Sequence, residues 1–194
     1  STKKFYAQST RYFNEANRLA LTIAKRFKNY KRLGEAYYIL GFNAKEADKP
    51  KTASKYLSLA TRRSRDPKVK TKTQISLAEV YYNEKKYRKA IPLYEEALDQ
   101  VTDKWWTKDS FNLAWCYFRI NNYSRAISIM EKVYERSKSS KYIDMRSQVE
   151  RDIGLFYASG DRINEGVRFY KKLGLNFTSQ LLTIAISLKE QGKY

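Results

Sequence analysis

The 194-residue chain contains no histidine. The commonest general base, the commonest metal ligand and the side chain that titrates near neutral pH are therefore missing. A single cysteine, Cys116, leaves no partner for an internal disulfide and rules out Cys/His zinc sites. Seven glycines and three prolines are too few for a collagen-like or a Pro/Gly-rich disordered chain. No apolar run reaches the roughly 18 residues that a membrane span requires. The start, Ser1-Thr2-Lys3-Lys4, has no initiator methionine and no signal-peptide core behind it, so a mature or excised segment is expected. Acidic residues are also scarce, 20 Asp/Glu against 39 Lys/Arg, and the formal net charge is +19. The imbalance is concentrated at one end. Residues 1–72 hold 19 Lys/Arg and 5 Asp/Glu, whereas 73–194 hold 20 and 15. Such a field attracts acidic proteins, nucleic acid or anionic membrane surfaces without choosing among them.

What is present is a helical repeat. The chain is 42% hydrophobic, enough for a core, and no stretch alternates polar and apolar residues over a useful strand length. Four stretches, 37–60, 74–97, 110–133 and 150–173, share one pattern. A small residue falls at Gly41, Ala78, Ala114 and Gly154, and a second at Ala53, Ala90, Ala126 and Gly166. Both series are spaced by 37, 36 and 40 residues, so two independent registers agree. Antiparallel helices that cross closely need a small side chain at the crossing and large ones around it. Tyr81, Tyr117 and Tyr157 follow the first small residue by three, on the same helical face. Tyr94, Met130 and Tyr170 follow the second by four. Short polar breaks, such as Asn83-Glu84-Lys85-Lys86 and Asn121-Asn122, separate the two helices of a pair.

The motif Leu77-Ala78-x-x-Tyr81, Tyr87-x-x-Ala90, Tyr94-x-x-Ala97 resembles a tetratricopeptide repeat. So does Leu113-Ala114-x-x-Tyr117, Tyr123-x-x-Ala126, Met130-x-x-Val133. The unit with Leu40-Gly41, Ala53, Leu57 and Ala60 departs from it, with Ala44 for the aromatic and Pro50 for the usual Tyr. The last unit has Gly166 in place of Ala; the family's early Trp is absent throughout, and only Pro67 approximates its closing Pro. The resemblance implies an all-α fold, an α-solenoid of antiparallel helix pairs wound as a right-handed superhelix. The expected layout is an N-terminal long helix (1–33, a cap or partial repeat), repeats at 34–70, 71–106, 107–146 and 147–177, and a partial repeat at 178–194. The first helix should run from Phe5 to Lys28 with Tyr12, Ala16, Leu19, Ala20, Ile23 and Phe27 on one face. A last helix is expected around Leu181, Ile184, Ala185 and Leu188, followed by a polar break and no second helix. A repeat cannot bury its apolar face alone, so a longer parent array is expected.

The resemblance also implies function: a scaffold or adaptor that binds a peptide segment or partner domain in a concave groove, with no catalysis and no cofactor. Carried over residue by residue, the groove comprises Tyr38, Phe42 and Lys45, then Lys72 and Tyr82, then Lys108, Phe111, Trp115, Phe118 and Arg119, and finally Arg151. Aromatics and cations alternate along it, an apolar stripe beyond what the small-residue face needs. The family's Lys-x-x-x-Asn clamp for a peptide C-terminus is not reproduced, although Arg119 and Arg151 could grip an acidic peptide. A separate basic patch, Arg62, Arg63, Arg65, Lys68, Lys70 and Lys72, supplies six cations in the eleven residues 62–72. It reads as a solvated inter-repeat turn, or as a dock for an acidic partner, a phosphate backbone or anionic lipid. The absence of aromatics inside the run weighs against nucleic acid. The alternatives to the adaptor are thus an electrostatic binder of an anionic polymer through residues 1–72, and a structural homo-oligomer stacked through its open ends.

Remaining features have plain readings. Cys116 without a histidine is a buried core thiol rather than a nucleophile. Glu95-Glu96, and Glu150 with Asp152, read as solvated helix faces. Trp105-Trp106 reads as a packing staple between repeats, with an exposed partner anchor as the alternative. The sequons at Asn122 and Asn176 read as coincidences, the first because Tyr123 should be buried. The Lys-, Tyr- and Asn-rich usage has a bacterial cast. Compartment stays open between cytoplasm and, for an exported bacterial protein, periplasm.

Overall fold

The computed structural model describes residues 2–100, 102–175, 178, 182 and 189. Nine helices are found among them: α1 (Thr2–Arg26), α2 (Leu33–Glu46), α3 (Pro50–Arg63), α4 (Pro67–Asn83), α5 (Tyr87–Gln100), α6 (Trp106–Arg119), α7 (Tyr123–Arg136), α8 (Arg146–Ser159) and α9 (Ile163–Lys172). No strand occurs among the described residues. The chain forms two compact units, Ser1–Val101 and Thr102–Tyr194. In the first, α2 packs on α3, α4 on α5, and α1 on α2, with α2 and α4 side by side. In the second, α6 packs on α7, α7 on α8 and α8 on α9. The expected helix at Leu181–Leu188 and the Asn176 sequon lie outside the described residues.

The small residues sit where the hairpins close. Ala53, Ala78, Ala90, Ala114 and Ala126 are fully buried, and Gly41, Gly154 and Gly166 are buried with them. At Gly41 the approach is close: a Cβ there would lie 2.6 Å from Leu57 Cγ and 2.8 Å from the Leu57 backbone nitrogen. Around these crossings the large residues close the core. Tyr94, Met130, Leu57, Ile127, Val133, Ile153 and Phe156 are fully or almost fully buried.

A third register appears in the turns. Asp48, Lys85, Asn121 and Asp161 all adopt positive φ (52–63°), two residues beyond the ends of α2, α4, α6 and α8. Their spacing is again 37, 36 and 40. Each turn is closed by the same pair of backbone bonds; in the second, Lys85 N–H donates to Tyr82 C=O and Lys86 N–H to Tyr81 C=O. This is the Schellman arrangement, which places a left-handed residue at the helix end, where glycine is usual. A side chain there costs about 1–2 kcal/mol of strain. Lys85 is exposed, so its replacement by Gly loses no packing. Lys85→Gly is expected to raise stability by about 0.5–1 kcal/mol, the relieved strain less the greater entropy of glycine. Urea unfolding checks this; an unchanged or lowered midpoint would remove strain as the reason.

Two expectations need correction. The basic run 62–72 is not a single turn. Only Ser64–Asp66 link two helices; Pro67 opens α4, and the Asp66 side chain caps it by accepting from Lys68 N–H at 2.8 Å. Lys68, Lys70 and Lys72 therefore stand on a helix, and α4 begins four residues before position 71. In α1, the expected face is also too broad. Ala20 and Ala24 are buried against the α2 core, Leu21 and Ile23 partly so, but Tyr12, Leu19 and Phe27 are exposed. A helix with one neighbour buries a narrow stripe, and small alanines let α1 lie close to α2.

The 40-residue interval has its own cause. Nine residues, 137–145, link α7 to α8, where three link α3 to α4. The longer link is stitched down: Ile143 N–H donates to Lys104 C=O at 2.9 Å, Thr107 Oγ1 donates to Ile143 C=O at 2.7 Å, and Met145 N–H donates to Ser137 Oγ at 3.1 Å.

Candidate functional site

In the first unit, Tyr38, Phe42 and Lys45 rise along α2 beside α4. The rings of Tyr38 and Phe42 lie 5.8 Å apart, and Lys45 Nζ sits 5.0 Å from the Phe42 centroid. Lys45 also donates to Glu79 Oε2 of α4 at 2.6 Å, with both side chains mostly covered. Burial opposes the Lys45 charge, but the Glu79 hydrogen bond and charge outweigh it and leave its pKa above the usual lysine value. Burial, the largest influence, likewise raises the Tyr38 phenol. Lys45 is thus an α2–α4 strut as well as a surface cation. Of the other two α4 residues expected in the groove, Lys72 is exposed, whereas Tyr82 packs edge-on against Tyr87 of its own hairpin, 5.9 Å between centroids.

In the second unit the aromatic residues divide. Phe118 stacks on Phe156 of α8 with 4.4 Å between centroids and 20° between planes. Trp115 meets the same ring edge-on at 4.9 Å and Phe118 at 5.3 Å. Both are half-buried, whereas Phe156 is completely buried. The supposedly surplus stripe is therefore partly spent on joining α6 to α8. What stays open is Phe111, half-buried, and Arg119, exposed with its guanidinium 5.2 Å from the Trp115 centroid. Arg151 is exposed too, but its Nε donates to the neighbouring Asp152 carboxylate at 2.6 Å. Lys108 Nζ lies 5.7 Å from the Trp105 centroid.

The two adjacent tryptophans take different roles. Trp106 is 8% exposed and clusters with Arg136, whose guanidinium carbon is 3.9 Å from the ring centroid, and with Tyr142, whose ring is 6.3 Å away and 5.8 Å from the same guanidinium. It fastens the 137–145 link to the start of α6. Trp105 is 47% exposed between Lys104 and Lys108.

The acidic residues are less solvated than expected. Glu150 is half-buried and accepts from Tyr134 Oη at 3.0 Å, while its backbone carbonyl accepts from Tyr170 Oη at 2.7 Å. Burial pushes the Tyr170 phenol up to about 12. Glu131 accepts from Tyr157 Oη at 2.5 Å, and burial drives that phenol well above its usual value. Glu96 pairs with Lys70 at 3.1 Å. Tyrosine hydroxyls thus tie α7 to α8 and α8 to α9. Tyr123 is half-buried against Phe118, and its Oη donates to Asn121; Asn122 serves as the cap of α7. Cys116 is completely buried, and burial raises its thiol to about 12, so it is not a thiolate near neutral pH. Among the described residues no helix is long and apolar enough to cross a membrane.

Tight hairpins closing on small residues, repeated in register, define a helical-repeat protein of the α-solenoid class. Residues 71–139 match the family model of the tetratricopeptide repeat. Solved structures agree on the fold. MamA of AMB-1 superposes with a TM-score of 0.66 at 16% identity, over 86% of this chain and 83% of that one. A Podosopora anserina chain described as a putative kinesin light chain with nearly identical TPR-like repeats gives 0.64 at 15% identity, over 96% and 90%. A point-substituted form of that chain gives 0.64 at 13% identity, over 97% and 91%. No curated protein matches the chain in sequence. The tetratricopeptide fold is in general a non-catalytic scaffold for protein interaction.

Proposed function

We propose that the protein is an interaction scaffold whose first-helix faces hold a segment of a partner protein. The observation that carries this is found in each unit by itself: half-covered Tyr38, Phe42 and Lys45 on α2 in one, and half-covered Phe111 and Trp115 with exposed Arg119 on α6 in the other. These side chains lie outside the fully buried small-residue crossings that hold each hairpin together. Large aromatics supply contact area at low entropic cost, and guanidinium groups recognise carboxylates in a bidentate manner. An acidic, aromatic-bearing segment is the complementary ligand, and the net charge of +19 speeds its encounter.

Phe111 and Arg119 are the residues to change, because neither stacks on Phe156 in the α6–α8 joint. A Phe111→Ala, Arg119→Ala variant should keep its helical circular dichroism and lose a partner captured from source lysate by the wild type. With the partner purified, affinity should fall about tenfold or more, as for an aromatic and a charged anchor removed together. If the variant binds the purified partner as tightly as wild type does, the α6 face is not the binding surface.

A further inference from the structure

The loop joining α1 to α2 and the loop joining α3 to α4 lie side by side in the first unit, and between them is a cleft of about 360 Å³. Five cations line it: Lys28 and Lys31 from the first loop, and Arg62, Arg63 and Arg65 from the end of α3 and the second loop. No carboxylate lines it; Glu35 and Asp66 line the adjoining cleft, which shares Lys31, Arg63 and Arg65 with it. Arg32, on the adjoining edge, is already matched by Glu35 in a two-pronged pair. Gly34 brings the loops together: a Cβ there would stand 2.5 Å from both Cα and N of Ser64, so only glycine lets the backbones touch. The sequence separates the two cation groups by some thirty residues; the fold places them around one hollow.

Part of this charge has a local explanation. Lys28 Nζ donates to the Ala24 carbonyl at 2.8 Å, and Arg62 and Arg63 lie in the last turn of α3, where cations complement the helix end. That accounts for cations on each helix end but not for five converging on a hollow whose own lining has no carboxylate, with Glu35 and Asp66 the two acids beside it. Like charges crowded into one cleft repel, and the arrangement gains most from an anion with several acceptor oxygens. A phosphate group fits, because it carries nearly two negative charges and accepts from several guanidinium forks at once.

We propose that this cleft is a phosphate-recognition site, separate from the first-helix faces, for the phosphoryl group of a phosphorylated side chain or of free phosphate. The site is tested on the full chain at constant ionic strength by following amide resonances. The probes are inorganic phosphate, acetyl-Gly-phosphoserine-Gly-amide and its unphosphorylated counterpart. Saturable shifts at Lys31–Gly34 and Ser64–Arg65 are expected with the two phosphorylated probes and not with the third. Tighter binding of the peptide than of phosphate assigns the source as a modified side chain; equal binding assigns it as the free anion. Arg62→Gln, Arg63→Gln, Arg65→Gln should weaken binding about tenfold or more, the scale of losing several charge-assisted bonds. Lys49→Gln, Lys51→Gln, Lys55→Gln removes the same charge from the other end of α3 and should change affinity less than about threefold if the cleft, not the overall field, holds the anion. Matching circular dichroism and thermal midpoints keep misfolding out of the comparison. Equal losses in the two variants, or absence of saturable shifts, would overturn the proposal. So would a preference for an oligothymidylate that both variants bind alike, which would make the basic first third a diffuse polyanion surface.

Discussion

Replacing Phe156 with Ala is expected to destabilise the protein by about 3–5 kcal/mol, the range for deleting a buried aromatic ring. The ring is completely buried and holds two partners of α6 at once, Phe118 stacked at 4.4 Å and Trp115 edge-on at 4.9 Å. Its removal leaves a cavity lined by rings too rigid to collapse into it. Each lost aromatic pair adds about 0.5–1.5 kcal/mol beyond the area term. The joint also positions Arg119, which rests on Trp115 as Trp115 rests on Phe156. Urea unfolding followed by tryptophan fluorescence measures the effect. Phe111→Ala on the half-exposed side of α6 is the control, and it should cost far less. A loss for Phe156→Ala below about 1 kcal/mol would mean that the second unit does not depend on this joint.

Gly41→Ala tests the opposite kind of close fit. Helix propensity alone favours the change by about 1 kcal/mol. Sterics oppose it: the new methyl would meet Leu57 Cγ at 2.6 Å, Cδ2 at 2.9 Å and the backbone nitrogen at 2.8 Å. The side chain could turn aside, but the backbone of a fully buried residue cannot without opening the α2–α3 hairpin. Overpacking costs about 1–3 kcal/mol, so the net sign is destabilising. The equivalent crossings at Ala78 and Ala114 already carry a methyl and are fully buried, so their hairpins have room for it and this one does not. A thermal midpoint below that of wild type is the expected result; a raised midpoint would show that α2 and α3 can separate at little cost.

Much of the fold was legible in residue spacing. Small residues recurring at 37, 36 and 40 marked every hairpin crossing, because a close helix crossing excludes large side chains whatever surrounds it. The buried tyrosines at Tyr94, Tyr157 and Tyr170 were legible for the same reason, being fixed by helical periodicity relative to those crossings. The left-handed turn residues were not, because Asp, Lys and Asn at these positions give no glycine signal, and only their backbone angles reveal the shared register. The candidate site was less legible still. Which aromatics stay available depends on their neighbours: Phe156 draws Trp115 and Phe118 inward, Tyr87 holds Tyr82, and Glu79 engages Lys45.

By itself, then, the sequence determined what is set by short-range geometry: helices, their pairing across small residues, the repeat length, and a cationic first third. Only the tertiary structure decided what depends on contacts between segments far apart in the chain. It split Trp105 from Trp106, turned half of a presumed binding stripe into a joint, and set Lys28 and Lys31 opposite Arg62, Arg63 and Arg65. The physical reason is that periodicity dictates which side of a helix a residue occupies, whereas the neighbour meeting that side is chosen by the packing of the next helix or loop.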